Sequence, residues 1–443
     1  MKKTLFILAL FASIISCSNE DSLLGTISDN EQVPYQNDVI NRRSFEEVVQ
    51  IAENSISMIE NNETKTRSHA GNRTIDLANG VKAMCKTKTR ANGEGTANDT
   101  LLYILNFKDN QGFAVVSACR QTDGLIAVIE SGHYDPSTPT GNSGFDNFMT
   151  MAYNLVSLES QKSIIKESTR SGNPIMCKPV YDTIFNKKVE PKINVRWGQK
   201  QRMGQFCSNG IAGCSNTAVA QIMSYFKHPK TLTLTYPNRD TNTTALDWTS
   251  ICKHVYTYVG YNRDDADLQI GRLARQLGQY SGSNYDKKSA TSTATTGSRS
   301  ALSKLGYTVG NIVSLTPTNG VFADDDLYEF ANILSQNKLI FMRGEYKGDD
   351  GHAWVIDGCY YVKALYRLMA TYDGTTWSVF QEMGTYKTCH NHINWGWNGD
   401  YNGYFNGWVY NANQAVKYDE NVYHPTDSTL VFKNKLGYFT VTH

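Results

Sequence analysis

The sequence predicts an α+β fold built from two folded units, each with helices packed on an antiparallel sheet. The chain has 443 residues, which is longer than one hydrophobic core usually supports. Helix-spaced apolar residues and strand-like runs occur together in residues 41–165 and again in residues 193–443. The chain also contains 26 Tyr, 17 Phe and 7 Trp, which can fill cores of this size.

The first unit, residues 41–165, combines helices with a small antiparallel sheet. Ser44 and Glu47 have the spacing of a capping box, and apolar residues follow them at helical spacing. The segment 108–111 (Lys-Asp-Asn-Gln) predicts a hairpin turn. Strands and a second helix are predicted at Leu101–Phe107, Gly112–Ser117, Leu125–Glu130 and Gly144–Val156.

The N-terminus, residues 1–16, has the form of an export signal. Two lysines precede the apolar run Leu5–Ile15, which is too short for an ordinary transmembrane helix. Cys17 follows small residues and opens a polar tether, residues 17–40, as in a bacterial lipoprotein whose cysteine is lipidated. We expect an exported protein held at the cell envelope or surface through Cys17, from which the mature unit can be released. A plain secretory signal is the alternative.

A change of composition separates the two units. Residues 166–192 are rich in Lys, Ser, Asn and Pro, which indicates an exposed connector, and exposed connectors are where proteases cut. We therefore expect a processing site between about residues 160 and 192. The second unit, residues 193–443, carries the residues with catalytic potential.

Charge and cysteine content exclude some classes of function. The formal net charge is +1 and no long run has a single sign, so the sequence gives no reason to expect nucleic acid or a polybasic membrane contact. The nine cysteines do not have the spacing of a small disulfide framework, and no particular bridge is predicted.

Cys214 is the candidate nucleophile. It opens a helical pattern in which Ala218, Ile222 and Tyr225 share one face, and Gly213 before it permits a tight turn. A thiol at a helix N-terminus has its pKa lowered by the helix dipole, which favours the reactive thiolate. A buried structural cysteine would give the same local pattern, so the assignment depends on partners elsewhere in the chain.

His352 is the candidate base, at the start of the strand-like run Gly351–Gly358. It lies well downstream of Cys214, as the histidine of a papain-type peptidase does. Asn394 follows further along, and its carbonyl can orient the imidazole without adding charge. Trp395 can then cover that hydrogen bond. Gln199, just upstream of Cys214, can donate its amide to an oxyanion together with the Cys214 N–H.

These segments resemble the streptopain family of cysteine peptidases. The resemblance is carried by Gly213-Cys214 with the helix Thr217–Met223, by Ser335–Leu339 leading into Gly351–Gly358, and by Asn394–Gly399. Gly112–Ser117 resembles part of the family's inhibitory prosegment. The resemblance covers most of residues 40–443. It implies a papain-like catalytic unit made as a secreted, inhibited zymogen.

Two features depart from the family pattern. Ser215-Asn216 is more polar than the small apolar residues expected after the nucleophile. The stretch Tyr361–Cys389 is long and predicts an unusual loop beside the cleft. The polar run Ser289–Ser300 predicts a surface loop, which together with the loop before Asn394 is a candidate to line the cleft. None of these features removes a catalytic group, but they leave subsite preference open.

The sequence therefore predicts a cysteine endopeptidase. A thiolate on Cys214 attacks a peptide carbonyl, and His352 protonates the leaving amine. The expected partners are protein or peptide substrates and the chain's own first unit, which acts as an intramolecular inhibitor. The mechanism requires no cofactor or metal.

Three rival interpretations remain. Cys389, His390 and His392 could bind zinc, although they lack a second ligand pair at finger spacing. A surface lipoprotein could retain the fold as a non-catalytic binding module. An acyltransferase or transglutaminase would use the same triad.

Overall fold

A computed structural model describes most of the chain outside its N-terminus. The described residues are 41–63, 73–89, 96–160, 176–235, 241–257, 264–315, 324–347, 350–407, 409 and 434–443. The predicted signal (1–16) and tether (17–40), with Cys17, lie outside them. Among the described residues, no helix is both long and apolar enough to cross a membrane.

The first unit has the helices and strands that the sequence predicts and one further strand, at Val81–Thr89, which it did not predict. In chain order they are α1 (Phe45–Glu63), β1 (Val81–Thr89), β2 (Thr96–Asn106), β3 (Phe113–Ser117), β4 (Leu125–Ile129) and α2 (Ser143–Glu159). The capping box is confirmed, because Ser44 N lies 2.8 Å from Glu47 Oε2 and Glu47 N lies 3.3 Å from Ser44 Oγ. Asp109 and Asn110 have positive φ angles, which makes the turn between β2 and β3.

The second unit has a helical half and a sheet half. Its elements are β5 (Met176–Val189), α3 (Cys214–Phe226), β6 (Thr231–Thr235), β7 (Thr241–Ala245), α4 (Trp248–Ile251), α5 (Asp265–Ser281), α6 (Thr295–Lys304), β8 (Thr308–Val309), β9 (Val313–Ser314), α7 (Asp324–Ser335), β10 (Leu339–Lys347), β11 (Asp350–Thr371), β12 (Trp377–Asn394), β13 (Gly403–Asn406) and β14 (Asn434–Thr442). The α+β class is confirmed. A helix that carries the cysteine packs against a sheet that carries the histidine, which is the papain-like arrangement.

One antiparallel sheet runs through both units. Its order is β1-β2-β3-β4-β13-β12-β11-β10-β14-β8, with β5 also paired to β11 and β9 to β14. The junction is between β4 and β13, where Ile129 pairs with Gly403 and Ala127 with Phe405. The first unit therefore extends the sheet of the second, rather than packing on it as a separate body.

The junction also has a shared apolar core. Phe145 and Phe148 of α2 belong to the same buried cluster as Trp395 and Phe405 of the second unit. A second cluster lies between α3, α5 and the other face of β10 and β11. Because the first core crosses the boundary, a large apolar surface would be exposed if the two units separated.

Three segments differ from the sequence-based predictions. Residues 176–189 of the predicted connector form the strand β5, paired with β11 from Cys359 to Thr371. The stretch Tyr361–Cys389 is a long hairpin of β11 and β12, not a loop. The second half of Ser289–Ser300 begins α6. In β5, Lys178, Pro179 and the run Asn186–Lys188 weaken the strand signal, and the strand forms through backbone pairing with β11.

Gly403 at the junction offers a test of the continuous sheet. A methyl group on Gly403 would lie 2.2 Å from the carbonyl oxygen of Val128, so Gly403→Ala must push β4 away from β13. We expect a loss of about 1–3 kcal/mol in stability and faster amide hydrogen exchange in β4 and β13. Gly374→Ala in the turn between β11 and β12 is the control, because its φ of 78° strains the backbone there while its methyl would meet nothing within 4 Å, so exchange in β4 and β13 should not change. Unchanged exchange at β4 in Gly403→Ala would contradict the pairing.

Candidate active site

Cys214 is the first residue of α3, and the turn before it requires glycine. Gly213 has a φ of 88°, and a Cβ on it would lie 3.1 Å from the side chain and carbonyl of Thr291. The Gly213 carbonyl accepts hydrogen bonds from Thr217 N at 3.0 Å and Thr217 Oγ1 at 2.9 Å. The first turn of α3 is thereby fixed, and the half-buried thiol of Cys214 lies at its N-terminus.

His352 lies near the start of β11 and is 2% exposed. Its Nε2 is 2.9 Å from the backbone carbonyl oxygen of Trp395. A carbonyl can only accept a hydrogen bond, so Nε2 carries the proton of this bond. The remaining nitrogen, Nδ1, is then the one available to the Cys214 thiol, with which the imidazole is hydrogen-bonded.

The environment of Cys214 favours the thiolate. Burial raises the pKa of the thiol, but the hydrogen bond and charge of His352 outweigh it. The Ala353 amide and the positive charge of Arg343 act in the same direction, and the pKa of Cys214 falls to about 7. A thiol with this pKa is substantially ionised at neutral pH, as a nucleophile requires.

The predicted role of Asn394 is wrong in one respect, because its side chain does not orient His352. Its Nδ2 donates to Val195 O at 2.9 Å, and its Oδ1 accepts from Gln221 Nε2 at 2.9 Å and Gly396 N at 3.3 Å. The imidazole is held by the next residue's backbone carbonyl instead. Both groups belong to the Asn394-Trp395 motif, so the sequence located the segment but not the atom.

Trp395 packs beside the histidine, although the Asn394–His352 hydrogen bond that it was predicted to cover is not formed. Its ring is fully buried, with its centroid 6.0 Å from that of His352 and 5.2 Å from that of Trp354. Its backbone N donates to Asn402 Oδ1 at 3.1 Å, which fixes the peptide that precedes it. The peptide whose carbonyl contacts His352 is held at its other end, where Gly396 N lies 3.3 Å from Asn394 Oδ1. The ring excludes water from one side of the imidazole.

Gln199 is tied to the nucleophile loop through its backbone. Its carbonyl accepts a hydrogen bond from Ala212 N at 2.8 Å, two residues before Cys214. This contact places the Gln199 segment beside the N-terminus of α3. Its side-chain role as an oxyanion donor stays a prediction.

The structure adds groups that the sequence did not identify. Arg343 of β10 is paired in register with Ala353, and its Nη1 donates to Thr293 O at 2.7 Å. The Ala353 amide and the Trp395 carbonyl are backbone groups, which every residue has, so no sequence pattern distinguishes them. Arg343 could have been found only by recognising that β10 and β11 are neighbours.

The first unit also reaches the catalytic pair. Gly144, in the first turn of α2, lies so close that a Cβ on it would be 2.6 Å from both the His352 ring and the Trp395 ring. Asn142 caps this helix by accepting from Phe145 N at 3.1 Å. The N-terminus of α2 therefore packs directly against the histidine and its cover.

The three residues of the zinc hypothesis have separate partners. Cys389 Sγ is 3.4 Å from Asn391 Oδ1, and His390 Nε2 is 2.9 Å from Leu125 O. His392 lies between two carboxylates.

Elsewhere in the described part of the chain, His254, Asp264 and Asp267 come together. The guanidinium of Arg202 already lies 2.7 Å from the His254 ring and 2.8 Å from Asp267.

Comparisons with known proteins find relatives of one kind. The model of the peptidase C10 family matches residues 182–405. Streptopain of Streptococcus pyogenes serotype M1 is 25% identical over 351 residues, which are 71% of this chain and 76% of streptopain. Prointerpain A of Prevotella intermedia is 19% identical, with a TM-score of 0.46 over 82% of this chain and 98% of that fragment. Interpain A, a cysteine protease of the same organism, is 20% identical, with a TM-score of 0.34 over 57% of this chain and 94% of its own.

The pairing of Cys214 with His352 can be tested by titrating the thiol. In the full-length chain, the alkylation rate of Cys214 should follow a midpoint near pH 7. In His352→Ala the midpoint should rise to about 8.5 or above, because the partner that favours the thiolate is gone. Mass spectrometry of the Cys214 peptide at a series of pH values measures both. An equal midpoint in the two proteins would contradict the pair.

Proposed function

The chain belongs to the peptidase C10 family and is a cysteine peptidase, and we propose that it is an endopeptidase made as a latent precursor whose first unit covers the catalytic pair. The observation that carries this proposal is the position of α2. Gly144 packs on His352 and Trp395 in the same molecule that has the Cys214–His352 pair in place.

The proposed reaction uses the groups around Cys214. The thiolate attacks the carbonyl carbon of a peptide bond and forms a tetrahedral oxyanion. The Cys214 N–H and the Gln199 side-chain amide stabilise that oxyanion. His352 then gives the Nδ1 proton to the leaving amine, and water hydrolyses the acyl-enzyme. The Trp395 carbonyl keeps the imidazole in place while Nδ1 takes the proton of the Cys214 thiol and while it gives that proton to the leaving amine.

Latency follows from the space that α2 occupies. Because a single Cβ at Gly144 has no room beside His352 and Trp395, a substrate chain has none there either. Asn142 extends the contact by donating to Asp400 O at 3.4 Å. A substrate can approach this side of the histidine only after α2 has moved.

A buried ionic network holds the same junction. Glu130 follows β4, and its Oε1 and Oε2 lie 3.0 Å from His392 Nε2 and 2.7 Å from Arg196 Nη2. On its other side, His392 Nδ1 lies 2.5 Å from Asp357 Oδ1. Breaking such a buried network by removing one charge costs several kcal/mol, about 3–5. Glu130 is therefore an anchor of the first unit on the second.

The charges of this network persist over a wide pH range. Burial alone would raise the pKa of Glu130, but Arg196 and His392 hold it far below its usual range. Burial alone would lower the pKa of His392, but Asp357 and Glu130 raise it to about 10. The Glu130 contribution is present above its ordinary pKa of 4.5 and is lost only as the pH falls further. The His392 contribution is complete below 6.5 and is lost as the pH rises through about 10.

Activation is proposed to occur by a cut between the units. The strand β5 is paired with β11 over its length, and a protease needs an unpaired, extended segment. Of the predicted range 160–192, we therefore propose that the cut lies before Met176. The strand β5 then remains with the catalytic unit.

Export and anchoring complete the proposal. Residues 1–16 act as the signal and Cys17 as the lipid attachment point, so that the enzyme works at the cell envelope or surface on protein or peptide substrates. The support is the sequence pattern of Lys2, Lys3 and the apolar run that precedes Cys17.

The proposed function is tested by comparing wild type with Cys214→Ala, both as full-length chains incubated alone. Wild type should shorten to a form that begins near Met176 and reacts with a thiol-directed peptidase inhibitor at Cys214. Cys214→Ala should stay full-length. N-terminal sequencing and mass spectrometry measure both results. Equal shortening of the two proteins, with every other protease excluded, would falsify self-activation. If processed wild type hydrolyses no peptide, the result favours a binding module instead.

Gly144 provides a separate test of latency. Gly144→Leu places a side chain where His352 and Trp395 already lie, so α2 must lift from the site. We expect self-processing to accelerate about tenfold or more, since a penalty of 1–3 kcal/mol now opposes docking. The control is Gly141→Ala just before α2, which is strained by its φ of 77° but whose methyl would meet nothing within 4 Å, so it adds backbone strain without a clash against His352 or Trp395. If Gly144→Leu matures no faster than Gly141→Ala, α2 does not control access to the site.

A further inference from the structure

Gln221 is a fully buried polar residue on the helix that carries the nucleophile. It lies seven residues after Cys214, which is two helical turns, and therefore on the same face of α3. Its side chain points to the sheet half of the second unit, where Nε2 lies 2.9 Å from Asn394 Oδ1 and 3.2 Å from Trp197 O. One amide nitrogen thus joins three segments that are distant in the sequence.

Each of these segments carries a group of the proposed reaction. The helix α3 carries Cys214. Trp197 is two residues before Gln199, the proposed oxyanion donor. Asn394 directly precedes Trp395, whose carbonyl holds His352.

We propose that Gln221 is a positioning residue for catalysis, whose amide hydrogens hold the nucleophile helix, the Gln199 segment and the Trp395 carbonyl in one fixed arrangement. This inference rests on the proposed peptidase function and assigns part of its geometry to a residue that touches neither substrate nor reacting atoms.

The path from Gln221 to His352 is short. Besides the bond from Gln221, Asn394 is held by its own donation to Val195 O at 2.9 Å, and its Oδ1 also accepts from Gly396 N at 3.3 Å. The peptide that carries the Trp395 carbonyl also carries the Gly396 N–H, so the Asn394 side chain holds that peptide directly. Loss of the Gln221 donor releases one of the contacts that fix the Asn394 side chain. The carbonyl and the imidazole can then rotate together.

The side-chain oxygen of Gln221 indicates which part of the amide the site uses. Within the described residues, Gln221 Oε1 has no hydrogen-bond partner although it is buried. An apolar side chain of similar length would avoid that cost, so the donor hydrogens are the part of the amide that the site uses. Both donors go to catalytic segments.

Gln276 of α5 is a matched control. It is 1% exposed, its Oε1 also lacks a partner within the described residues, and its Nε2 also makes two contacts. These contacts are with Thr233 O at 2.6 Å and Tyr280 Oη at 3.0 Å, neither of which belongs to a catalytic segment. A purely structural effect of losing a buried amide should therefore be similar at both positions.

The experiment compares wild type, Gln221→Met and Gln276→Met, each expressed full-length and processed by the same trace of trypsin. For Gln221→Met we expect kcat on a peptide substrate to fall by about tenfold to a hundredfold, with KM changed by less than about threefold. The alkylation midpoint of Cys214 should also rise above its value of about 7, because a misaligned His352 supports the thiolate less well. Gln276→Met should lose thermal stability to a similar degree and keep both kcat and the midpoint.

Gln221→Glu is the second variant if the methionine protein does not fold. It has the same shape, and burial between two acceptor oxygens keeps its carboxyl group protonated, so that one donor hydrogen remains in place of two. We expect losses in the same direction but smaller than those of Gln221→Met. A kcat and a midpoint equal to those of Gln276→Met would overturn the positioning role. An inactive wild type would instead reject the proposed function, so the two failures are distinguishable.

Discussion

The hydrogen bond from His352 Nε2 to the Trp395 carbonyl determines which imidazole nitrogen faces Cys214. With Nε2 committed as a donor, only Nδ1 can exchange a proton with the thiol. Burial raises the pKa of Cys214, and the hydrogen bond and charge of His352 more than offset this effect, so that the pKa falls to about 7. The nucleophile, the imidazole and the covering Trp395 therefore form one unit, in which a backbone atom is the fixed point.

The first unit uses the same sheet that builds the site. Pairing of β4 with β13 continues the ladder up to β12, the strand that ends at Asn394. The ion network of Glu130, Arg196 and His392 and the packing of Gly144 on His352 lie along this junction. The sheet pairing, the ion network and the packing against the catalytic histidine thus belong to one interface.

The local elements were readable from the sequence, but several tertiary partners were not. The capping box at Ser44, the helix opened by Cys214 and the strand at His352 follow from spacing and residue type. The partner of His352 did not, because a backbone carbonyl leaves no mark in the sequence. The hairpin of β11 and β12 was missed although it contains apolar residues such as Leu365 and Val379, because these side chains are exposed and the strands are stabilised by pairing with each other and with β5, which is distant in the sequence.

The most direct measurement is the tautomer of His352 in the full-length Cys214→Ala protein. Nitrogen NMR of histidine-labelled protein, with His352→Asn used to assign the signal, distinguishes the two ring nitrogens. The geometry predicts a proton on Nε2, donated to the Trp395 carbonyl, and a bare Nδ1 directed at position 214. A neutral ring with its proton on Nδ1 would show that Trp395 does not orient the histidine and would contradict the account.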